Sequence, residues 1–252
     1  VTADFTIMAQ GQLLIKVGNA SSAYGTLTSS NIASSINVSA SYCTIGADCA
    51  LPASIVNLSV VAGSSANTWI ATDSKAGAAQ GNYSLTITPP TFISSNSSGG
   101  GYLNVGSYVF TPSTTVVTNA GYSTNYATGY PILTVPGTVS ITPLALSMNA
   151  PTQSKVYDAS TAIAGKVLTA SNVMSGDQLV ITGSGNYATS NAGVSLSYTI
   201  NSIALSGLDA ANYAFSGNVT GTNGVISQAT LTISGATVAN KTYDGNTAAT
   251  FS

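Results

Sequence analysis

An offset of 87 residues constrains this chain more than any other feature. Leu144 recurs as Leu231, Asn104-Val105-Gly106 as Asn191-Ala192-Gly193, Asn125-Tyr126-Ala127 as Asn212-Tyr213-Ala214, and Gly137 to Ile141 loosely as Gly224 to Ser227, all 87 positions on. A motif, Lys155-Val156-Tyr157-Asp158-Ala159-Ser160-Thr161, returns as Lys241-Thr242-Tyr243-Asp244-Gly245-Asn246-Thr247, and each copy follows a short alternating apolar run. Landmarks that share one offset define a repeat. Solenoid and propeller units run at about 20–50 residues and cannot bury a core alone, whereas about 87 residues can. An array of separately folded beads is therefore expected.

The content of each bead follows from the alternation of apolar and polar residues, which marks half-buried strands. Leu13 to Val17, Asn31 to Tyr42, Ser54 to Val61, Asn82 to Thr88, Tyr102 to Thr111 and Thr114 to Thr118 read this way, with Pro112 separating the last two. Further strands are expected near Leu144 to Met148, Lys166 to Leu168, Gln178 to Thr182, Val194 to Ile203, Tyr213 to Ser216 and Gly224 to Ser227. No segment keeps helical periodicity, although Leu208 to Asn212 suits one helical turn with Tyr213 packing back. Tyr126 is expected to do the same in the first unit. Short strands with Gly, Pro and Asn-rich turns predict an all-β chain of tandem immunoglobulin-like β-sandwich repeats. Residues 1–12, with the alternating Asp4 to Met8, read as the last strand of a preceding repeat. Residues 13–141 form a first sandwich with a long insert from about Tyr24 to Asn82, residues 142–228 a second, and residues 229–252 the first strands of a following repeat.

Charge narrows the function. The chain has five Lys and seven Asp among 252 residues, with no Arg, Glu or His, for a net charge of -2. No basic stripe exists for nucleic acid or an anionic membrane surface. A Ser nucleophile would lack a His base, so no enzymatic activity is expected. The Asp residues are scattered, with no Asp-x-Asp-x-Asp-Gly loop, and neither metal nor cofactor is expected.

The Tyr-Asp-Gly after a Lys, the Gly176-Asp177 pair, the run from Leu205 to Tyr213 and the closing Val225-Ile226-Ser227 resemble the YDG and MBG repeats of large bacterial surface proteins. The likeness is good over residues 140 to 252. It weakens over 13 to 139, where Ala23-Tyr24-Gly25 stands in place of Tyr-Asp-Gly. Such repeats occur in filamentous-haemagglutinin-like adhesins exported by two-partner secretion. The resemblance implies an extracellular stalk at the bacterial cell surface, with an outer-membrane transporter as partner, and names no ligand; neighbouring repeats and a host or cell-surface glycan or protein are the other candidate partners.

Candidate residues are few. Cys43 and Cys49, six positions apart in an exported chain, read as a disulfide pinning a loop, since no His or third Cys completes a tetrahedral metal shell. Tyr157, Asp158, Tyr243, Asp244 and Gly245 read as a tight turn: Asp accepts nearby amides and Gly takes positive φ. Ala159 replaces Gly in the earlier copy, so the position is not expected to require positive φ strictly in both copies. Lys155 and Lys241 read as solvated lysines at strand ends, because an isopeptide crosslink needs a buried acid beside it. The insert, with Trp69, Asp73, Lys75 and the Cys pair, is the region for ligand recognition. Trp69 either stacks on a sugar ring from a loop or closes the end of the larger sandwich. The function expected is a structural repeat segment of a long secreted fibre or adhesin stalk that mediates attachment. The alternatives are a glycan- or ligand-binding module using the insert, and a filament subunit joined by strand addition.

Overall fold

A computed structural model describes residues 12–43, 48–63, 68–72, 82–88, 93–118, 132–235 and 237–248. The regular elements described are strands and short 3-10 turns, so the chain is all-β. It divides into two compact units that are interleaved in sequence. Unit 1 takes Val1–Ser147, Ala170–Val180 and Leu205–Ser216, and unit 2 takes Met148–Thr169, Ile181–Ala204 and Gly217–Ser252. The repeat seam at residue 142 thus lies inside unit 1.

Unit 1 holds β1 (Leu13–Val17), β2 (Ala20–Ala23), β3 (Val38–Cys43), β4 (Ile55–Asn57), β5 (Ser59–Ala62), β6 (Thr68–Thr72), β7 (Asn82–Thr88), β8 (Gly106–Thr118), β9 (Ile132–Val135), β10 (Gly137–Thr142) and β11 (Leu144–Ala145). One sheet runs β4-β3-β1-β9 and another β2-β10-β8-β7-β6-β5. Alternation places Leu13, Ile15 and Val17 of β1 inward, and Leu13 and Ile15 share a core with Ala40, Tyr42, Leu58 and Ala71. Burying each such side chain contributes about 1.5–3 kcal/mol.

Two expectations change here. The segment from Asn31 to Tyr42 is not one strand: Ile32–Ser35 is a 3-10 turn and β3 begins at Val38. Its serines bond the local backbone instead, Ser34 Oγ donating to the Asn31 carbonyl and Ser35 Oγ to that of Ile32, both at 2.7 Å. Such bonds offer the chain an alternative to a ladder. Pro112 also does not split a strand. β8 pairs β10 through Gly106 to Phe110 and β7 through Thr111 to Thr118, with a register shift beyond Pro112. The proline, which has no amide to donate, stands where the strand changes partners, beside an irregularity that tolerates it.

Unit 2 is built on a five-stranded sheet, β12-β17-β15-β14-β13, from β12 (Ser154–Val156), β13 (Ala162–Leu168), β14 (Val180–Tyr187), β15 (Gly193–Ser206) and β17 (Val219–Ser227). Between β15 and β17 lie a 3-10 turn, Ala210–Asn212, and β16 (Tyr213–Ala214), which pairs in parallel with β11 inside unit 1. Ile163, Leu168, Ile181, Tyr187, Tyr198 and Ile200 are buried in unit 2. A Cβ on Gly183 would meet Ile200 Cγ2 at 2.6 Å, and one on Gly185 would collide with the Thr199 carbonyl. Gly185 lets the backbones of β14 and β15 approach closely, and Gly183 leaves room for the Ile200 and Leu168 side chains. Residues 229–235 form no strand, since a lone strand without a partner is not stable in water. The segment from Asp4 to Met8 lies outside the described residues.

Candidate functional site

The repeated motif is a closed turn. β12 runs parallel to β17, and the Tyr157 amide donates to the Ser227 carbonyl at 2.8 Å as the strand ends. Asp158 Oδ1 then accepts the Ser160 amide at 2.9 Å and lies 2.7 Å from Lys155 Nζ, which also donates to the Ser160 carbonyl at 2.7 Å. In the next copy Lys241 Nζ lies 2.8 Å from Asp244 Oδ1 and donates to the carbonyls of Asn246 at 3.0 Å and Ala248 at 2.9 Å. The lysines are therefore not simply solvated at strand ends. An ammonium carries three donors, and the turn presents a carboxylate and carbonyls that accept them.

Gly245 has φ 74 and Ala159 has φ 63. Ala159 thus adopts the left-handed region that its Cβ argued against. The Lys155 ion pair and the Asp158 bond to Ser160 hold it there, against a steric cost of about 1–2 kcal/mol. Lys155 holds the Asp158 carboxyl below the usual carboxylate range, and Lys241 does the same for Asp244.

Unit 1 uses the equivalent place differently. β2 runs parallel to β10, and the Tyr24 amide donates to the Thr142 carbonyl at 2.8 Å, so Tyr24 ends its strand as Tyr157 ends β12. Its side chain is buried and donates to Asp177 Oδ2 at 2.5 Å. Tyr213 donates to the same oxygen at 2.6 Å and accepts the Met174 amide at 2.9 Å. The two rings meet edge to face with centroids 5.3 Å apart, a favoured aromatic geometry. Asp177 Oδ1 takes the Gly100 amide at 2.9 Å. Glycine is required on that loop: a Cβ at Gly100 would meet the Ser175 carbonyl at 2.7 Å, and one at Gly99 would collide with that of Gly176.

The Asp209–Tyr213 corner completes the cluster. Buried Asp209 accepts the Gln178 amide at 2.7 Å and the Gly99 amide at 3.3 Å. Buried Asn212 accepts the Val105 amide at 2.9 Å and donates to Asn104 Oδ1 at 2.7 Å. Burial works to raise the Asp177 carboxyl, but hydrogen bonds led by those of Tyr213 and Tyr24 outweigh it and hold the group below its usual range. Burial and then Asp177 push the Tyr213 phenol up to about 12, and push Tyr24 up as well. A carboxylate filled by donors beside two phenols that keep their protons fastens segments together.

The structure joins Cys43 to Cys49 with Cα atoms 5.7 Å apart. Trp69 lies in β6, half-buried against the core of Leu13 and Tyr42, and not on a loop. Asp73, Lys75 and Tyr126 lie outside the described residues. Among the described residues no three His, Cys, Asp or Glu side chains converge as metal ligands would. Sequence reasoning missed the centre at Asp177, although the runs that carry it, Gly176-Asp177 and Leu205 to Tyr213, stood out as motifs. Tyr24 is 153 positions from Asp177, with no local signal linking the two.

No curated protein and no solved structure matches the chain. Residues 142–221 match the YDG domain. This stretch, which holds the Lys155 turn and the Asp177, Asp209 and Tyr213 side chains, is a YDG-type domain.

Proposed function

We propose that the chain is a structural repeat segment of a long secreted bacterial surface fibre or adhesin stalk, built of immunoglobulin-like beads that hold an attachment region away from the cell. The recurrence of one ion-paired turn, at Lys155–Asp158 and again at Lys241–Asp244, carries this reading. A turn that recurs with its partners is part of a framework, and frameworks that recur along a chain build length. The match of residues 142–221 to the YDG domain supports it, as does a surface nearly free of charge, which suits a spacer. In this reading the role is non-enzymatic and needs no cofactor. The partners are neighbouring repeats, a cell-surface glycan or protein, and an outer-membrane transporter that exports the fibre.

Electron microscopy of the native, uncut protein tests this. Beads at a regular spacing of a few nanometres along a thin fibre support the stalk; a compact particle rejects it.

A further inference from the structure

We propose that the face of unit 2 formed by Tyr157, Ala192 and Gln228 to Leu231 is a socket for the Gly-Asp turn and Asn-Tyr corner of another YDG-type repeat. It surrounds a cavity of about 440 Å³. The inference deepens the fibre reading by naming what each repeat binds, but it rests on geometry within the units.

Strand pairing, β2 on β10 and β12 on β17, matches Tyr24 with Tyr157, and the 87-residue offset matches Val105 with Ala192 and Leu146 with Ile233. In unit 1 the strand-ending Tyr24 is 2% exposed, because Asp177 of the Gly-Asp turn accepts a hydrogen bond from its hydroxyl and Tyr213 covers its ring. Tyr157 ends the equivalent strand of unit 2 and is 42% exposed. Val105, whose amide is held by Asn212, is half-buried, while its counterpart Ala192 is exposed. Leu146, whose amide donates to the Ala214 carbonyl just past the corner, is 7% exposed; its counterpart Ile233 is 79% exposed. Three positions change from covered to open together. In unit 1 the same two segments, 170–180 and 205–216, do the covering.

The chemistry specifies the occupant. Tyr157 offers a phenol donor where Tyr24 meets a carboxylate, and Leu231 and Ile233 offer an apolar edge where Leu144 and Ala145 pair with Tyr213 and Ala214. The matching surface is an Asp after Gly, with an Asp-x-x-Asn-Tyr corner beside it. An intact second copy of this chain is not the occupant, since its own turn and corner are closed over Tyr24.

The test is a chain in which a second copy of residues 142–252 follows Gln228 in register, with Tyr157→Phe in the added copy so that one Tyr157 remains. Nitration at each tyrosine is followed by mass spectrometry, with Tyr243, 93% exposed, as the open reference. Docking slows nitration of Tyr157 about tenfold or more relative to the 252-residue chain, and Asp177→Ala in the added copy restores the rate. Unchanged nitration of Tyr157 beside a folded added copy overturns the proposal. An added copy that stays unfolded overturns it equally, because the same sequence folds when its turn and corner meet Tyr24. Microscopy decides the fibre and nitration decides the socket, so the two readings fail separately.

Discussion

Asp177→Ala removes the acceptor of two phenols and one amide, and its cost can be worked from the geometry. The Tyr24 and Tyr213 hydroxyls each lose a hydrogen bond to a charged group, worth about 1.5–3 kcal/mol. Tyr213 keeps its bond from the Met174 amide, and buried Tyr24 is left with the neighbouring Ser98 and Tyr213 hydroxyls in place of a carboxylate. The expected loss in unit 1 is about 3–6 kcal/mol, with a smaller loss for Asp177→Asn, which retains one oxygen. The assay is urea unfolding followed by near-ultraviolet circular dichroism of the clustered tyrosines, run as a double-mutant cycle with Tyr24→Phe. Coupling of about 1 kcal/mol or more between the two substitutions is expected. A loss under about 1 kcal/mol, or Tyr24→Phe costing the same with and without the carboxylate, would refute the account of the centre.

Other outcomes follow from the same geometry. Because folding raises the Tyr213 phenol to about 12, its contribution is complete below the ordinary phenol value near 10 and disappears as pH rises through about 12. Ultraviolet titration should show its phenolate forming only as unit 1 unfolds. The Asp177 carboxyl has the opposite sign: its lowered value gives stability present above the usual Asp range and lost as acid protonates it, which amide exchange across a pH series will show. Ala159→Gly should stabilise unit 2 by about 0.5–1 kcal/mol, since relief of left-handed strain exceeds the added chain entropy, and a lowered melting temperature contradicts that. Replacing Cys43 and Cys49 by Ser should cost about 2 kcal/mol, because the loop they close is short.

Local chemistry was legible in the sequence, and long-range packing was not. The Lys-x-x-Asp spacing, the turn after it and the 3-10 corner before Tyr213 depend on neighbours a few positions apart, which a linear reading can see. Ala159 misled because steric preference was weighed without the lysine that overrules it. The strand expected from Asn31 failed because alternation was counted without the serine bonds that compete with a ladder. Tyr24 and Asp177 meet only after β2 has paired with β10 and the second repeat has placed its turn beside Gly100. Their proximity is a property of the folded chain.

The position of the seam inside unit 1 bears on how such a chain changes length over evolutionary time. A gene copying error that inserts one whole period of 87 residues after Gln228 leaves the seam between residues 141 and 142 unchanged. Each inserted copy brings a turn and corner and, on the socket proposed above, a tyrosine-ended strand that receives those of the repeat after it. On the socket proposed for Tyr157, such variation requires no new kind of interface, whereas a cut between Thr142 and Asp177 separates Tyr24 from Asp177 and costs the molecule its buried carboxylate centre.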